Sequence, residues 1–430
     1  MKTIVKLFAL CAFLLVGQNA HAVLEIEITQ GVEGALPIAI AVFAGDIYTS
    51  PEAVETIVRN DLSRSGFFDV LDKQKLPQVV VNPSQLNFKA WRETGVESLL
   101  LGKITQAGED QYRVEFQLID LIRKKRLLGN VIPAGTKDVR KVGHKISDLV
   151  FETLTGIRGA FSTRVAYVST VNKGTGNQKY VLQIADADGY NPRTIFSSSK
   201  QILSPAWSPD GTRLAYVSFE SGNSAIYVQD IIQGTRAKVS AKSGINSAPS
   251  WSPDGRRLAL TLSASGSPDI YILDLGAKNL QRLTSGPAID TEPSWMPDGK
   301  TLLFTSDRSG GPQIYQVSTN GGKAQRITFD GKYNAAADVS SDGRYVTMVN
   351  NSGNGYRIAV MDIQSKAMRV ISDGHLDEGP SFAPNGSMIM YATADQGRGV
   401  LAAVSADGRV KQKLRLTEGD VREPSWSPFR

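Results

Sequence analysis

Few side chains in this 430-residue sequence have the types and spacing that catalysis requires. Histidine occurs only as His21, His144 and His375, and the sequence contains no G-x-S-x-G serine motif, phosphate-binding loop or dinucleotide fingerprint. His144 falls on a predicted helix and His375 in a loop between two repeats, so a Ser–His pair would need a coincidence of folding. We therefore predict a protein that is not an enzyme.

Ligands for a metal ion or a cofactor are equally scarce. Cys11 is the single cysteine and lies in an N-terminal apolar run, so the chain beyond that run has no thiol. The tetrapeptide DADG at 186–189 is similar to the start of a calcium loop but lacks the later acidic ligands, and we interpret it as a turn. No His, Cys and Asp residues occur at the spacing of a metal site. These observations predict neither a cofactor nor a metal.

The first 22 residues have the layout of a secretory signal peptide. Lys2 and Lys6 precede an apolar run at 7–16, and Ala20 and Ala22 occupy the positions that signal peptidase reads. The run is about half the roughly 20 residues that a membrane-spanning helix needs. We predict cleavage after Ala22 and an exported chain that is peripheral to membranes and not inserted in them. The net charge of +6 is spread without a long basic run, which argues against nucleic acid as a partner.

An internal repeat supplies the elements that must position any site. Its motif reads WSPDG at 207–211 and 251–255, WMPDG at 295–299, VSSDG at 339–343, FAPNG at 382–386 and WSP at 426–428. The motifs begin 44, 44, 44, 43 and 44 residues apart, and each period contains four short strands without a helical pattern. This predicts the blades of an all-β propeller. We interpret Trp207, Trp251 and Trp295 as packing between adjacent blades.

The two ends of the repeat array predict how the ring closes. Three strands that begin at Thr163 lack a preceding inner strand, whereas the motif at 423–428 is an inner strand without the three that should follow. Joining the two gives six complete blades and removes exposed sheet edges. The sequence therefore predicts a six-bladed β-propeller closed by the C-terminal strand.

Residues 23–155 lack this period and predict a small α/β domain. Strands are expected at 23–29, 37–43, 97–104, 111–120 and 126–132, and helices before Gly66, at 84–94 and at 137–154. The first helix has one apolar face, formed by Ala53, Val54, Ile57, Val58 and Leu62. The predicted domain organisation is a signal peptide at 1–22, the α/β domain at 23–155, a linker at 156–162 and the propeller at 163–430.

The junction TGIRGAFSTRVAYV at 155–168, with the leader, the α/β domain and the WSPDG blades closed by PSWSP, resembles the TolB family of the Tol–Pal system. The resemblance covers essentially the whole chain. It implies a non-enzymatic periplasmic protein of Gram-negative bacteria that binds the Pal lipoprotein through the propeller and TolA through its mature N-terminus. It also implies a role in outer-membrane integrity and cell division, and exploitation by colicins.

Loops that enter the inner strands should gather at one mouth of the central channel, which is the candidate Pal site. The candidate residues are Ile245, Asn246, Ala248, Asp290, Thr291, Glu292, Asn334, Asp377, Glu378 and Glu423. The acidic members, together with Asp420, suggest a partner with basic groups, and they leave a cation such as calcium in the channel as an open alternative. Ordinary solvated turns remain the other interpretation of each loop.

The mature N-terminus is the candidate TolA site. Its residues are Val23, Leu24, Glu25, Ile26, Glu27 and Ile28, in which apolar and acidic types alternate as in a strand with one polar face. The segment could be the first strand of the α/β sheet, or it could detach and pair with the edge of a partner's sheet. The resemblance favours the second alternative in at least one state.

Two other classes of function remain open on the sequence. A propeller that binds a small molecule, a sugar or a peptide should have aromatic side chains in its mouth loops, and only Tyr333 qualifies. An accessory of a peptidase is the other class, since similar propellers cover peptidase domains. Protein binding by a monomer is the favoured interpretation, with other outer-membrane or peptidoglycan-associated proteins as further partners.

Overall fold

Six antiparallel sheets and one mixed sheet make up the computed structural model, which describes residues 23–27, 34–45, 53–78, 80, 83–415 and 419–429. The predicted signal peptide at 1–22 and the candidate residue Ile28 lie outside the described residues. The predicted fold class, a small α/β region followed by a six-bladed propeller, is confirmed. The exact boundaries of the linker at 156–162 stay a prediction.

The α/β region lies between residues 34 and 155 and contains one mixed sheet. The strands of the chain up to this point are β1 (Val23–Glu27), β2 (Leu36–Ile40), β3 (Ala44–Gly45), β4 (Phe68–Val70), β5 (Ser98–Gly108), β6 (Gln111–Asp120) and β7 (Lys125–Gly135). The helices are α1 (Val54–Ser65), α2 (Phe88–Glu93) and α3 (Val139–Thr155), with 3-10 turns at Lys73–Lys75, Pro83–Gln85 and Thr136–Asp138. The sheet order is β4-β2-β5-β6-β7, with β3 beside β5 and β1 elsewhere.

Apolar periodicity determines which side of each helix is buried. Ile57 of α1 and Ile146 of α3 pack with Phe116 of β6 in a core on one face of the sheet. Trp91 of α2 is buried in a second core on the other face. Helix α1 ends as predicted at Gly66, whose φ of 77° is accessible to glycine without strain.

The propeller contains six blades of four antiparallel strands each. The first blade contains β8 (Arg164–Val171), β9 (Lys179–Asp186) and β10 (Arg193–Ser198). The second contains β11 (Ile202–Trp207), β12 (Arg213–Ser218), β13 (Ala225–Asp230) and β14 (Arg236–Ser240). The third contains β15 (Asn246–Trp251), β16 (Arg257–Leu262), β17 (Asp269–Asp274) and β18 (Leu280–Arg282).

The remaining blades follow the same order from the channel outwards. The fourth contains β19 (Asp290–Trp295), β20 (Thr301–Ser306), β21 (Gln313–Ser318) and β22 (Gln325–Arg326). The fifth contains β23 (Tyr333–Val339), β24 (Tyr345–Asn351), β25 (Arg357–Asp362) and β26 (Met368–Val370). The sixth contains β27 (Glu378–Phe382), β28 (Met388–Asp395), β29 (Arg398–Ser405) and β30 (Lys411–Arg415), and β31 (Asp420–Trp426) returns to the first blade.

The repeated tryptophans join neighbouring blades, as predicted. Trp251 is buried, and its indole N–H donates to the carbonyl oxygen of Ala206 in the preceding blade at 3.1 Å. The Arg213 guanidinium lies 4.5 Å from the centre of the same ring and donates to the carbonyl of Gly255. Trp207 and Trp295 have equivalent contacts, so each motif contributes a turn to its own blade and an anchor to the preceding one.

Strand β31 closes the ring. It pairs antiparallel with β8, at a distance of about 250 residues in sequence, and supplies the innermost strand of the first blade. The Trp426 indole donates to the hydroxyl of Thr163 at 2.7 Å, and the backbone N–H of Ser427 donates to the carbonyl of Arg164 at 2.8 Å. The closure predicted from the ends of the repeat array is therefore confirmed.

Strand β1 does not belong to the α/β sheet, and that alternative for the N-terminal segment is wrong. It pairs antiparallel with β30 as a fifth, outermost strand of the sixth blade. The register places Glu25 opposite Lys413 and Glu27 opposite Lys411.

The α/β region contacts the propeller on the face that carries the turns after the tryptophan motifs. Asn385, in the turn after β27, donates to the carbonyl of Arg158 at 3.0 Å, and Arg64 of α1 donates to the carbonyl of Ala187 at 3.3 Å. The inner strands begin at the opposite face. The mouth at which they begin is therefore directed away from the α/β region.

Candidate protein-binding sites

A β-bulge occurs at the same position in all six inner strands. At each bulge one residue has a left-handed backbone, with φ between 47° and 59°. These residues are Ser204, Ala248, Glu292, Ala336, Gly379 and Glu423. Such a conformation is uncommon outside glycine, and a bulge re-aims the strand locally. The six residues line a cavity of about 500 Å³ at the mouth of the channel.

Two glutamates of this ring bind the backbone of the next blade. Glu292 Oε2 accepts hydrogen bonds from the N–H of Ala336 and from the Thr305 hydroxyl, both at 2.8 Å. Glu423, on the inner strand of the first blade, accepts one from the N–H of Ser204 in the second blade. Burial raises the pKa of the Glu423 carboxyl to about 7. Both side chains are thus directed into the channel wall.

A third carboxyl group, on Asp338, has the same role two positions beyond the bulge residue Ala336 of its strand. Asp338 Oδ2 accepts a hydrogen bond from the N–H of Phe382 in the next blade at 2.7 Å. Burial raises the pKa of this carboxyl to about 6. Carboxyl groups therefore join blade four to blade five, blade five to blade six and, from β31, blade one to blade two.

Four of the candidate mouth residues are buried at equivalent positions of successive blades. They are Asn246, Asp290, Asn334 and Asp377. Asn246 Oδ1 accepts from the Ser240 hydroxyl at 2.8 Å, and the Asn334 amide donates to Gln313 Oε1 at 2.9 Å. These amides fix the loops that enter the inner strands and have internal partners.

The two buried aspartates also have internal partners. Arg308 donates to both oxygens of Asp290, at 2.8 and 2.6 Å. Asp377 accepts from the hydroxyls of Ser372, at 2.5 Å, and Thr393, at 2.6 Å. Burial raises the pKa of the Asp377 carboxyl. The carboxylates predicted to attract a basic partner are therefore satisfied within the blades, and Asp420 likewise contacts Lys173.

Apolar side chains form the exposed part of the mouth. We define the apolar rim as Ile245, Ile289, Tyr333, Tyr356 and Leu376. Ile245, Ile289 and Leu376 are 48%, 49% and 63% exposed, and the Tyr333 and Tyr356 rings pack edge to face with centres 5.1 Å apart. Four of the five directly precede the buried position of their blade. In the sequence, this surface is indicated by an apolar residue at the end of each polar loop. The sequence-based prediction gave weight to the acidic residues of the same loops and did not select this surface.

The remaining candidate residues are distributed around this rim. Ala248 lines the cavity, and Thr291 is half-buried beside Glu292. Glu378 is 45% exposed and lies 3.7 Å from Arg422, which forms a polar margin next to Glu423. The structure thus brings Ala248, Glu292, Asp377, Glu378 and Glu423 together at the cavity. Ile245 is exposed and does not line it.

The second candidate site is the pairing of β1 with β30. The remaining register partners are Val23 with Arg415, Leu24 with Leu414 and Ile26 with Gln412. Lys411 also contacts Asp373, and Lys413 Nζ lies 3.2 Å from Asp395. Lys411 and Lys413 of β30 therefore have acidic partners on the propeller itself.

His144 lies in neither of these sites and has no serine partner at its ring nitrogens. Its Nδ1 lies 2.7 Å from Asp61, and its Nε2 faces Asp188 and Arg140. Asp61, His144 and Asp188 could be spanned by a cation, but Arg64 and Arg140 already bind the two carboxylates, and we assign no metal there. His375 is exposed in its loop, as expected.

Within the described ranges, no helix has the length and apolar character needed to cross a membrane. Two family models match the chain. One is described as the TolB amino-terminal domain and matches residues 24–127. The other is described as the TolB beta propeller domain and matches residues 151–430.

Similar proteins of known identity are named TolB. The chain is 60% identical over 423 residues to the Tol-Pal system protein TolB of Thioalkalivibrio sulfidiphilus, covering 98% of this chain and 97% of the relative. It is 54% identical to the Tol-Pal system protein TolB of Xanthomonas campestris pv. campestris, covering 95% and 93%. The crystal structure of TolB from Acinetobacter baumannii superposes with a TM-score of 0.87 at 40% identity, covering 95% of this chain and all of that one.

Proposed function

The chain belongs to the TolB family of Tol-Pal system proteins, and from that premise we propose that it is a non-enzymatic periplasmic adaptor between Pal and TolA. The observation that carries the proposal is the apolar rim around an open channel mouth, on the face away from the α/β region. Exposed apolar side chains around a concave mouth, with a polar margin, are typical of a protein-binding site. By linking the two partners the adaptor supports outer-membrane integrity and cell division.

Pal binds the mouth of the channel in this proposal. Ile289 and Leu376 are the exposed anchors, and the tyrosine pair supplies a rigid aromatic contact beside them. Large apolar and aromatic side chains at the centre of an interface contribute most of its binding free energy. Glu378 and Arg422 form the polar margin, whereas the buried candidate residues determine the shape of the loops.

TolA binds the segment 23–28 in this proposal, through addition of a strand to its own sheet. Strand β1 is the outermost strand of its blade and pairs with one neighbour, β30. Its release therefore leaves the four-stranded blade intact. Colicins and other outer-membrane or peptidoglycan-associated proteins are further partners of the same two surfaces.

Calorimetric titration of the exported chain with the soluble domain of Pal tests the first site. We expect saturable 1:1 binding that falls at least tenfold in the double variant Ile289→Asp/Leu376→Asp. The matched control is Ile232→Asp, because Ile232 is 76% exposed on the opposite face. Equal affinity of the double variant and the control would contradict the assignment. Binding of a peptide or sugar, and not Pal, would favour the alternative function.

Deletion of residues 23–34 tests the second site. We expect TolA binding to be lost, while Pal binding and the unfolding midpoint of the propeller remain unchanged, because β1 covers one outer edge only. Retained TolA binding in the truncated chain would refute the N-terminal assignment. Loss of Pal binding as well would indicate a general folding defect.

A further inference from the structure

A buried cluster of charged side chains joins the α/β region to the propeller, apart from both proposed binding sites. His144 and Arg140 come from α3, and Asp61 and Arg64 come from α1. Asp188 comes from the turn between β9 and β10 of the propeller. All except Arg140 are buried, and the side chain of Arg140 is 15% exposed.

Hydrogen bonds and ion pairs link the two parts through this cluster. Asp61 accepts from Arg64 at 3.1 Å and from His144 Nδ1 at 2.7 Å. Asp188 contacts Arg140 and lies 3.6 Å from His144 Nε2. The imidazole ring is therefore placed between a carboxylate of the α/β region and a carboxylate of the propeller.

The carboxylates around the ring outnumber the guanidinium groups. Three carboxylates and two guanidinium groups surround it: Asp61, Asp186, Asp188, Arg64 and Arg140. The Arg140 guanidinium also lies 3.7 Å from the centre of the Tyr190 ring, and Asp148 on α3 adds a fourth carboxyl group beside Asp61. Buried charge without a counter-charge is costly. An imidazolium at His144 reduces the excess of negative charge.

Electrostatics favours the same protonation state. Burial lowers the pKa of His144, but attraction by Asp61 and Asp188 outweighs it, so the pKa lies above its ordinary value. Attraction by His144 and Arg64 likewise overcomes burial and lowers the pKa of Asp61. Burial raises the pKa values of Asp186 and Asp148. Asp188, the group supplied by the propeller, is one of the two carboxylates responsible for the rise at His144.

We propose that His144 is a protonation-dependent latch between the α/β region and the propeller. The imidazolium bridges Asp61 and Asp188 and holds the two parts together. Loss of its proton removes the bridge and leaves the carboxylates facing each other across the contact. The orientation of the α/β region on the propeller thereby responds to the pH outside the cell, to which an exported protein is exposed.

The direction of the pH dependence follows from linkage. A histidine whose pKa is raised by docking stabilises the docked form fully below its pKa in the undocked form, in which Asp61 still contacts the His144 ring. The contribution is lost as pH rises through the pKa of the docked form. As pH rises between the His144 pKa values of the undocked and docked forms, the equilibrium constant for docking falls up to tenfold per pH unit.

Histidine-selective NMR titration of the exported chain is the first test. The variant His375→Gln assigns the signals of the two histidines. We expect His144 to titrate above the ordinary histidine value of about 6.5, and the variant Asp188→Asn to lower the His144 titration point. A His144 titration point at or below the ordinary value would overturn the proposal, and this outcome is read on the native chain.

Spin-label distance measurements test the movement itself. Cysteines replace Glu109 in the α/β region and Ile232 in the propeller, both of them exposed. We expect one narrow distance distribution at pH 5.5 and a broader one at pH 8.5, with His144→Gln giving the same distribution at both values. A distribution in the native chain that is independent of pH would overturn the latch. A distance distribution that responds to zinc or EDTA and not to pH would identify a metal site, and it would also overturn the proposed latch.

Discussion

Glutamate has an unusual role in the channel wall of this propeller. Glu292 and Glu423 occupy equivalent positions on inner strands, each with a left-handed backbone, and each carboxylate binds an N–H at the equivalent bulge of the next blade. At these bulges the pleated sheet supplies no partner for that N–H, and a buried donor without one costs about 1–3 kcal/mol. The glutamate carboxyl group thus provides a hydrogen-bond acceptor for an N–H that the bulge in each inner strand leaves without a partner in the sheet.

Replacing Glu423 by Gln should stabilise the protein at high pH. The Gln carbonyl can still accept from the Ser204 N–H, but it carries no charge to bury. Because the carboxyl pKa is raised to about 7, the native glutamate loses stability as pH rises from its ordinary pKa of about 4.3 through 7. We expect Glu423→Gln to add about 1–3 kcal/mol to the free energy of unfolding at pH 8 and little at pH 5, in urea titrations.

Glu109→Gln is the control for this prediction, because Glu109 is exposed in the hairpin between β5 and β6. Its effect should be small at both values of pH. An equal effect of Glu423→Gln at pH 5 and pH 8 would show that the carboxyl is ionised throughout, and that its burial costs less than the geometry indicates.

The sequence identified the mouth loops but could not orient their side chains. Asp290 looks like an exposed loop acid, yet its partner Arg308 is 18 residues further along and is brought to it by the β20–β21 hairpin. Asp61, His144 and Asp188 similarly come from three separate elements. Neither arrangement has a spacing signature, because the contacts arise from tertiary packing and not from a local turn or helix.

At the scale of elements, local periodicity was a reliable guide. Helix α1 ends at Gly66 as predicted, and α3 (Val139–Thr155) occupies nearly the predicted range. Strand β1 was predicted as a strand, but its sheet was not identified. Alternation of apolar and acidic residues fits any edge with one polar face, so the pattern alone does not select β30.

Charge reversal on β30 should release β1. Lys411→Glu/Lys413→Glu places like charges opposite Glu25 and Glu27, and each such pair costs roughly 0.2–1 kcal/mol. We expect faster hydrogen exchange at the amides of 23–27 and, on the proposed function, up to about tenfold tighter TolA binding. Lys238→Glu on β14, the outer strand of a blade without a fifth strand, should change neither.

Hydrogen exchange separates the two parts of that prediction. Unchanged exchange at 23–27 in the double variant would contradict the electrostatic account of the β1–β30 pair. Faster exchange with unchanged TolA binding would support the pairing and count against the N-terminal segment as the TolA site.

At the scale of the molecule, the length of the repeat was sufficient to predict the architecture. A period of about 44 residues and complementary ends predicted six blades, because each blade must bury its faces against two neighbours. The contacts between blades are repeated as well, with Arg164, Arg213 and Arg257 each stacked on the tryptophan of the next blade. The repeat carries no information about how the non-repeating α/β region packs on the propeller. The His144 cluster, which lies at that contact, could therefore not be predicted from the sequence.

Removal of β31 should open the ring. Val421 and Trp426 are buried in the core shared by the first and sixth blades, and β8 would lose its inner neighbour. An unpaired edge of this length is a template for association. We expect a chain ending at 418 to form oligomers in light-scattering chromatography and to unfold at lower urea, and a peptide of residues 418–430 to restore the monomer. A monomeric truncated chain with an unchanged midpoint would show that the other five blades maintain the ring without closure.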